Sequence, residues 1–248
     1  MPSALATAPP PLDAGSYARL AGDMAECTPQ NWQHADDYLV DTLIGHDPAL
    51  QAAIDAQRAA DMPAIEVSPV AGKLLHLITW MSGARRVLEI GTLGGYSTIW
   101  LARAIPADGR VVTIEAEASH AAVARRSIDA AGVGQRVDII VGRAAEVLPT
   151  LEGSEPCDLV FIDADKESNT LYLDWAVRLG RPGTVIVLDN IGREGEIARE
   201  GSDDSRVRGT QQALEMLGSD PRFDATALQT VGAKGWDGVA VALVTGAQ

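Results

Sequence analysis

The chain is predicted to be an α/β protein: a doubly wound, seven-stranded, mostly parallel sheet with a C-terminal antiparallel hairpin at one edge. Two observations predict this. Five short Val- and Ile-rich runs between Arg86 and Leu188 alternate with helical patterns, the rhythm of right-handed βαβ units whose sheet is covered on both faces. Three of these runs end in glycines or oxygen donors, at Glu89-Ile90-Gly91, Ile162-Asp163 and Leu188-Asp189-Asn190. In an open parallel sheet, residues just past the strand carboxyl ends face the ligand crevice, so the three segments should converge there.

Residues 1–30 read as a disordered or loosely ordered leader. Its first half is rich in Ala and Pro, has no basic start and lacks an apolar core of secretory-signal length. Leu39, Leu43 and Leu50 recur among polar residues, and Asp47-Pro48 supplies a helix start, so residues 31–62 form a helical N-terminal extension. Residues 63–248 form the main domain. Ser68-Pro69 caps a helix through Leu74, Leu75, Leu77 and Ile78 to Met81, whose apolar face would pack on a sheet. Strands follow over 86–90, 111–115, 137–141, 159–163 and 184–188, separated by helices over 97–104, 119–131, 144–151 and about 168–179. The charged, Gly-containing segment 191–208 is expected to be a mobile loop beside the site. A helix near 210–217 then leads to strands over 223–230 and 239–244, joined as the edge hairpin.

The 248 residues, 46 % of them hydrophobic, suffice for one well-buried domain with some decoration. A formal charge of −14 without a Lys/Arg cluster argues against nucleic acid and anionic membrane as partners. No apolar run approaches the roughly 20 residues that cross a bilayer. Cys27 and Cys157 offer neither a disulfide framework nor a metal-ligand spacing, which fits a reduced cytoplasmic setting, with Cys157 a small apolar residue at a strand entrance. His34, His46, His76 and His120 form no ligand pattern; His76 reads as partly buried in its helix and the others as surface positions. Trp80 and Trp100 read as core, Trp236 as part of the hairpin, and Trp32 as lining an acceptor pocket or a subunit contact.

Gly91, Gly94 and Gly95 do not have the Gly-x-Gly-x-x-Gly spacing that seats a pyrophosphate, and no Gly-Lys-Ser/Thr follows to grip nucleotide phosphates. What remains is a glycine turn preceded by Glu89, and Glu115 at the end of the next strand, where a carboxylate can hold a ribose diol. Asp163, Asp189 and Asn190 supply three oxygen donors at adjacent strand ends with no Cys or His in the pattern. Oxygen-only ligation suits Mg²⁺ first, with Mn²⁺ and Ca²⁺ open, over Zn²⁺. The spacing Asp163-x-x-Lys166 brings an amine within reach of the same site, and an amine beside a cation is more readily a base.

Glu89, Gly91 and Gly95 match the E-x-G-x-x-x-G motif of class I S-adenosylmethionine-dependent methyltransferases. Phe161-Ile-Asp-Ala-Asp-Lys166 with Leu188-Asp-Asn190, in this order and spacing, closely resembles the cation-dependent O-methyltransferases of the caffeoyl-CoA and catechol type. The resemblance spans roughly residues 65–244 and implies a Rossmann-like sheet. It implies further that Glu115 takes the ribose hydroxyls, Ser97 the methionine end, Ala144 the adenine neighbourhood and Asp165 another polar part of the cofactor. Thr92 in the glycine turn, the backbone near Val67, and Asp163 complete the implied cofactor set. Asp163, Asp189 and Asn190 would be the metal ligands, with Lys166 and Asp163 catalytic. The implied reaction is an SN2 methyl transfer from a sulfonium to a phenolic oxygen of a vicinal diol, driven mostly by positioning and electrostatics. The resemblance also implies a homodimer.

Two departures from the plant enzymes bear on the acceptor. Ile191-Gly192-Arg193 stands where they carry an aromatic residue, and their basic substrate-binding residue has no N-terminal counterpart, so a small phenolic, catechol-like acceptor is favoured over a coenzyme A thioester. Other readings are an NAD-dependent oxidoreductase, suggested by the similar sheet and the acid after its second strand, and a non-catalytic S-adenosylmethionine-binding protein. An adenine N-methyltransferase would carry Asp/Asn-Pro-Pro-aromatic where this chain has Asp163-Ala-Asp-Lys166.

Overall fold

The computed structural model describes residues 28–246, so the expected leader lies outside the described residues up to position 27, as does Cys27. From Thr28 the chain is already helical in intent: its hydroxyl accepts from Asn31 N at 3.3 Å and caps α1 (Pro29–Leu39). A π-helical turn (Val40–Ile44) leads to α2 (Pro48–Ala59) and then α3 (Pro69–Met81). Asp47 and Ser68 cap these helices by accepting from backbone amides, each followed by proline at the first helical position, where no N–H is needed.

The sheet contains β1 (Arg86–Ile90), β2 (Arg110–Glu115), β3 (Val137–Val141), β4 (Leu159–Ile162), β5 (Val185–Asp189), β6 (Phe223–Gly232) and β7 (Gly235–Val244), in the order β3-β2-β1-β4-β5-β7-β6. The first five are parallel; β7 runs antiparallel between β5 and the outer strand β6. The connecting helices are α4 (Tyr96–Ala104), α5 (Ala118–Ala130), α6 (Ala144–Val147), α7 (Asn169–Leu179) and α8 (Ser205–Ser219). Alternate strand side chains serve opposite faces. Val87, Leu159 and Phe161 pack with helices α2 to α5, and Leu88, Ile90, Val160 and Ile162 with α7 and α8. Burying an Ile or Leu side chain fully, as at Ile90, Leu159 and Ile162, stabilises by about 1.5–3 kcal/mol each.

Several sequence expectations change in the structure. The 144–151 helix stops being α after one turn, because Pro149 removes a backbone donor, and finishes as 3-10 over Leu148–Leu151. The segment 191–208 is not one loop: it holds a 3-10 stretch (Arg193–Ala198), and α8 already starts at Ser205, where Asp204 accepts from Arg206 N. Trp80 is 67 % exposed, so it is not core, whereas Trp100 is buried. Leu39 and Leu43 are exposed, while Leu50 in α2 enters the core beside Val87 and Leu101. Among the described residues no helix is long and apolar enough to cross a membrane.

Candidate active site

Strand order reverses direction of growth between β1 and β4, and the loops leaving these two strands border one cavity of about 850 Å³. Gly91 leaves β1 with φ +100°, and its missing side chain is required. A Cβ there would collide with the Asp163 carbonyl at the end of β4. Gly91→Ala is therefore expected to cost about 3 kcal/mol or more, lowering the melting temperature by roughly 6–12 °C. A calorimetric scan showing no shift would mean the two loops can separate freely.

Glu115, at the end of β2, is 7 % exposed and holds the glycine turn. Its Oε2 accepts from Thr92 N at 3.2 Å and Leu93 N at 2.8 Å, and its Oε1 from Glu117 N at 3.0 Å. A carboxylate accepts at about four positions, so capacity for a ligand hydroxyl remains. His120 Nδ1 lies 3.7 Å from Oε1 and also lines the cavity, which corrects its reading as a plain surface position. Glu89 lies beneath this turn with no exposure. Ser97 donates to its Oε1 at 2.6 Å, and Thr98 and Thr113 donate to its Oε2. Burial pushes its carboxyl up to about 7, against the pull of those three hydroxyls.

At the other end, Lys166 Nζ donates to Asp163 Oδ1 at 2.8 Å, with the lysine only 6 % exposed. Asp163 and Asp189 each follow the paired residues Ile162 and Leu188, one residue beyond the β4–β5 register. Burial first, and the Asp163 charge second, holds the Asp189 carboxyl above the ordinary range. Asn190 follows with φ +58°, a conformation its short polar side chain tolerates. Among the described residues no group of three or more His, Cys, Asp and Glu is gathered as metal ligands. The expected donor set has two carboxylates and one amide. Two mutually repelling, half-buried carboxylates next to a neutral amide oxygen fit a hard cation, which would relieve that repulsion.

The cavity wall contains Val67, Gly91, Thr92, Ser97, Glu115, Ala144, Asp163, Asp165, Lys166 and Asn190. Glu89, Gly95 and Asp189 stand behind it: Gly95 caps α4 with φ +85° against Ile128 and Ala124. Tyr172, which donates to Asp165, and Glu66 also line the cavity and were not anticipated. Gln57 was missed as well. It is 2 % exposed, and its Nε2 donates to Pro63 O and to Glu66 Oε2 at 2.7 Å each, tying the cavity wall to α2. The hairpin tip braces the same wall, with Lys234 Nζ donating to Glu66 Oε1 at 2.9 Å. No periodic or motif signal marks such tertiary ties. Trp32 does not line the cavity.

Fold and cavity have the organisation of the Rossmann-like methyltransferases. Residues 46–243 match the model of an O-methyltransferase family. The chain is 56 % identical over 209 residues to a catechol O-methyltransferase of Mycobacterium tuberculosis, covering 84 % of this chain and 94 % of that one. It is 48 % identical over 217 residues to a catechol O-methyltransferase of Niastella koreensis, covering 87 % and 98 %. A crystal structure of an O-methyltransferase from Bacillus cereus in complex with SAH superposes with a TM-score of 0.86 at 48 % identity, covering 88 % of this chain and 100 % of that one. The chain belongs to this O-methyltransferase family, which sets aside the oxidoreductase reading.

Proposed function

We propose that the protein transfers a methyl group from S-adenosylmethionine to one hydroxyl of a small catechol-like acceptor, aided by a divalent cation held by Asp163, Asp189 and Asn190. The observation that carries this reading is the Asp163–Lys166 couple, which lies in the same cavity as Glu115. The names of the two curated relatives support the acceptor class, and the SAH-bound neighbour supports the cofactor. When bound, S-adenosylmethionine supplies the electrophilic methyl and the cation supplies Lewis acidity toward neighbouring hydroxyl oxygens. Glu115 binds the ribose hydroxyls and keeps the glycine turn closed. Val67, Thr92 and Ser97 line the sulfonium donor's berth; Ala144 flanks its adenine and Asp165 another polar part of it; Glu89 and Gly95 shape the turn from behind. Lys166 Nζ takes the acceptor hydroxyl proton, and Asp163 Oδ1 keeps the amine aimed.

Chelator is expected to abolish methylation of 3,4-dihydroxybenzaldehyde and Mg²⁺ to restore it, with Asp163→Ala and Asp189→Ala inactive at any Mg²⁺ concentration. Turnover that survives exhaustive chelation would remove the cation from the reaction. S-adenosylmethionine binding with no turnover of any catechol would favour the non-catalytic binding protein instead. The reading also carries a cytoplasmic homodimer.

A further inference from the structure

The turn after Asn190 is strained, and the strain has a beneficiary. Asn190, Arg193 and Glu194 all have positive φ, at +58°, +51° and +55°, and Gly195 follows at +84°. Arginine and glutamate rarely adopt this conformation and hold it only where the surroundings impose it. Here the imposing group is Asp237 on β7. Its Oδ1 accepts from Gly192 N at 2.8 Å and Arg193 N at 3.1 Å, while Ile191 N donates to Gly238 O at 3.0 Å. Glycine is needed at 192 and 195, because a Cβ would meet the Asp237 backbone and the Trp236 ring respectively.

The residue delivered by this clamp is Arg193, which lines the same cavity as Asn190 and Lys166. The other cations at this end are already engaged. Lys166 is held by Asp163, and Arg206 makes hydrogen bonds of 3.0 and 2.6 Å to Asp204. Arg143 lies after β3, at the end assigned to the nucleoside. Arg193's guanidinium has no hydrogen-bond or ion-pair partner among the described residues; its charge is felt by Asp204, which Arg206 already neutralises. A half-buried arginine whose guanidinium has no partner among the described residues is a positive charge left available to a ligand in a protein of net charge −14.

We propose that Arg193 is a specificity residue that selects acceptors bearing an anionic group, a carboxylate above all, on the ring that carries the two hydroxyls. This rests on the reaction proposed above. A planar guanidinium fork matches a carboxylate with two parallel hydrogen bonds, and it gives an anionic acceptor a local attraction that offsets repulsion by the acidic surface.

The test compares 3,4-dihydroxybenzoate with its near-isosteric amide, 3,4-dihydroxybenzamide, on the full-length enzyme with Mg²⁺. The wild type is expected to favour the carboxylate in kcat/KM by roughly tenfold, and this preference should shrink as salt rises. In Arg193→Gln the preference should collapse toward parity, and Arg193→Lys should recover part of it. Calorimetric titration of the same two compounds into the enzyme saturated with S-adenosylhomocysteine should show the same loss of discrimination in affinity. Absence of any preference in the wild type, or an undiminished preference in Arg193→Gln, overturns the proposal. Should no catechol be methylated at all, the reaction assignment fails, and the calorimetric ratio still decides for or against Arg193.

Discussion

Lys166→Met is expected to lower kcat for a catechol acceptor by roughly 10²–10⁴-fold, the range a positioned proton-transfer group contributes. The side chain is 6 % exposed, and its amine sits 2.8 Å from Asp163 Oδ1 at the wall of the cavity, where an acceptor hydroxyl can reach it. Methionine keeps the length and apolar stem while deleting the proton carrier. S-adenosylhomocysteine titration separates chemistry from binding: the variant should still bind it, since Glu115 and the glycine turn are untouched. A variant retaining more than a tenth of wild-type kcat would show that another group, or solvent, takes the proton.

The second large effect is on stability, and it belongs to Glu89. Its carboxyl is fully buried and pushed up to about 7 from 4.5, first by burial, with Ser97, Thr113 and Thr98 opposing as hydrogen-bond donors and Asp163 adding to the rise. In the folded state the group therefore keeps its proton at pH values where the unfolded chain has lost it. The folded state binds more protons between pH 4.5 and about 7, so stability falls as pH rises through that window. At about 1.4 kcal/mol per unit, the full loss is about 3 kcal/mol. Asp47 and Asp158, held below the carboxylate range, are ionised in both states across this window and add no slope. Glu89→Gln deletes the titration while retaining one acceptor oxygen. Denaturant midpoints should thus show the wild type losing ground to Glu89→Gln from pH 5 to pH 8. A stability difference that stays constant over that range would place the titration elsewhere. Glu89→Ala is more severe, because three buried hydroxyls lose their acceptor, at a cost of about 3 kcal/mol or more.

Much of the site was legible before any coordinates, for a local reason. A strand end, its glycine turn and the next helix start are contiguous in sequence, so Glu89 to Ser97, Phe161 to Lys166 and Leu188 to Asn190 carried their own geometry. Parallel pairing then aligns strand tips automatically, which is why Asp163 and Asp189 fall one residue past the same register. Residues outside these motifs were read less well. His120 looked like one of four scattered histidines and turns out to stand 3.7 Å from Glu115. Trp80 shares the apolar pattern of its helix but points to solvent, because α3 presents Leu75 and Thr79 to the core, on a different stripe. The charged 191–208 stretch looked like loop because it lacks helical periodicity. Contacts with Asp237, forty-odd residues away, order its first part instead.

The amino-acid order alone determined the alternation of strands and helices, the parallel sheet and its edge hairpin, and the chemical types gathered at the strand tips, since these depend on periodicity and on neighbours a few residues apart. Only the tertiary structure decided which charges remain available. Whether Arg193 is free, Arg206 engaged, Lys166 tied to Asp163 or Glu89 sealed from water depends on distances between segments that share no local pattern. Burial and partner geometry, not residue type, set the electrostatics of each.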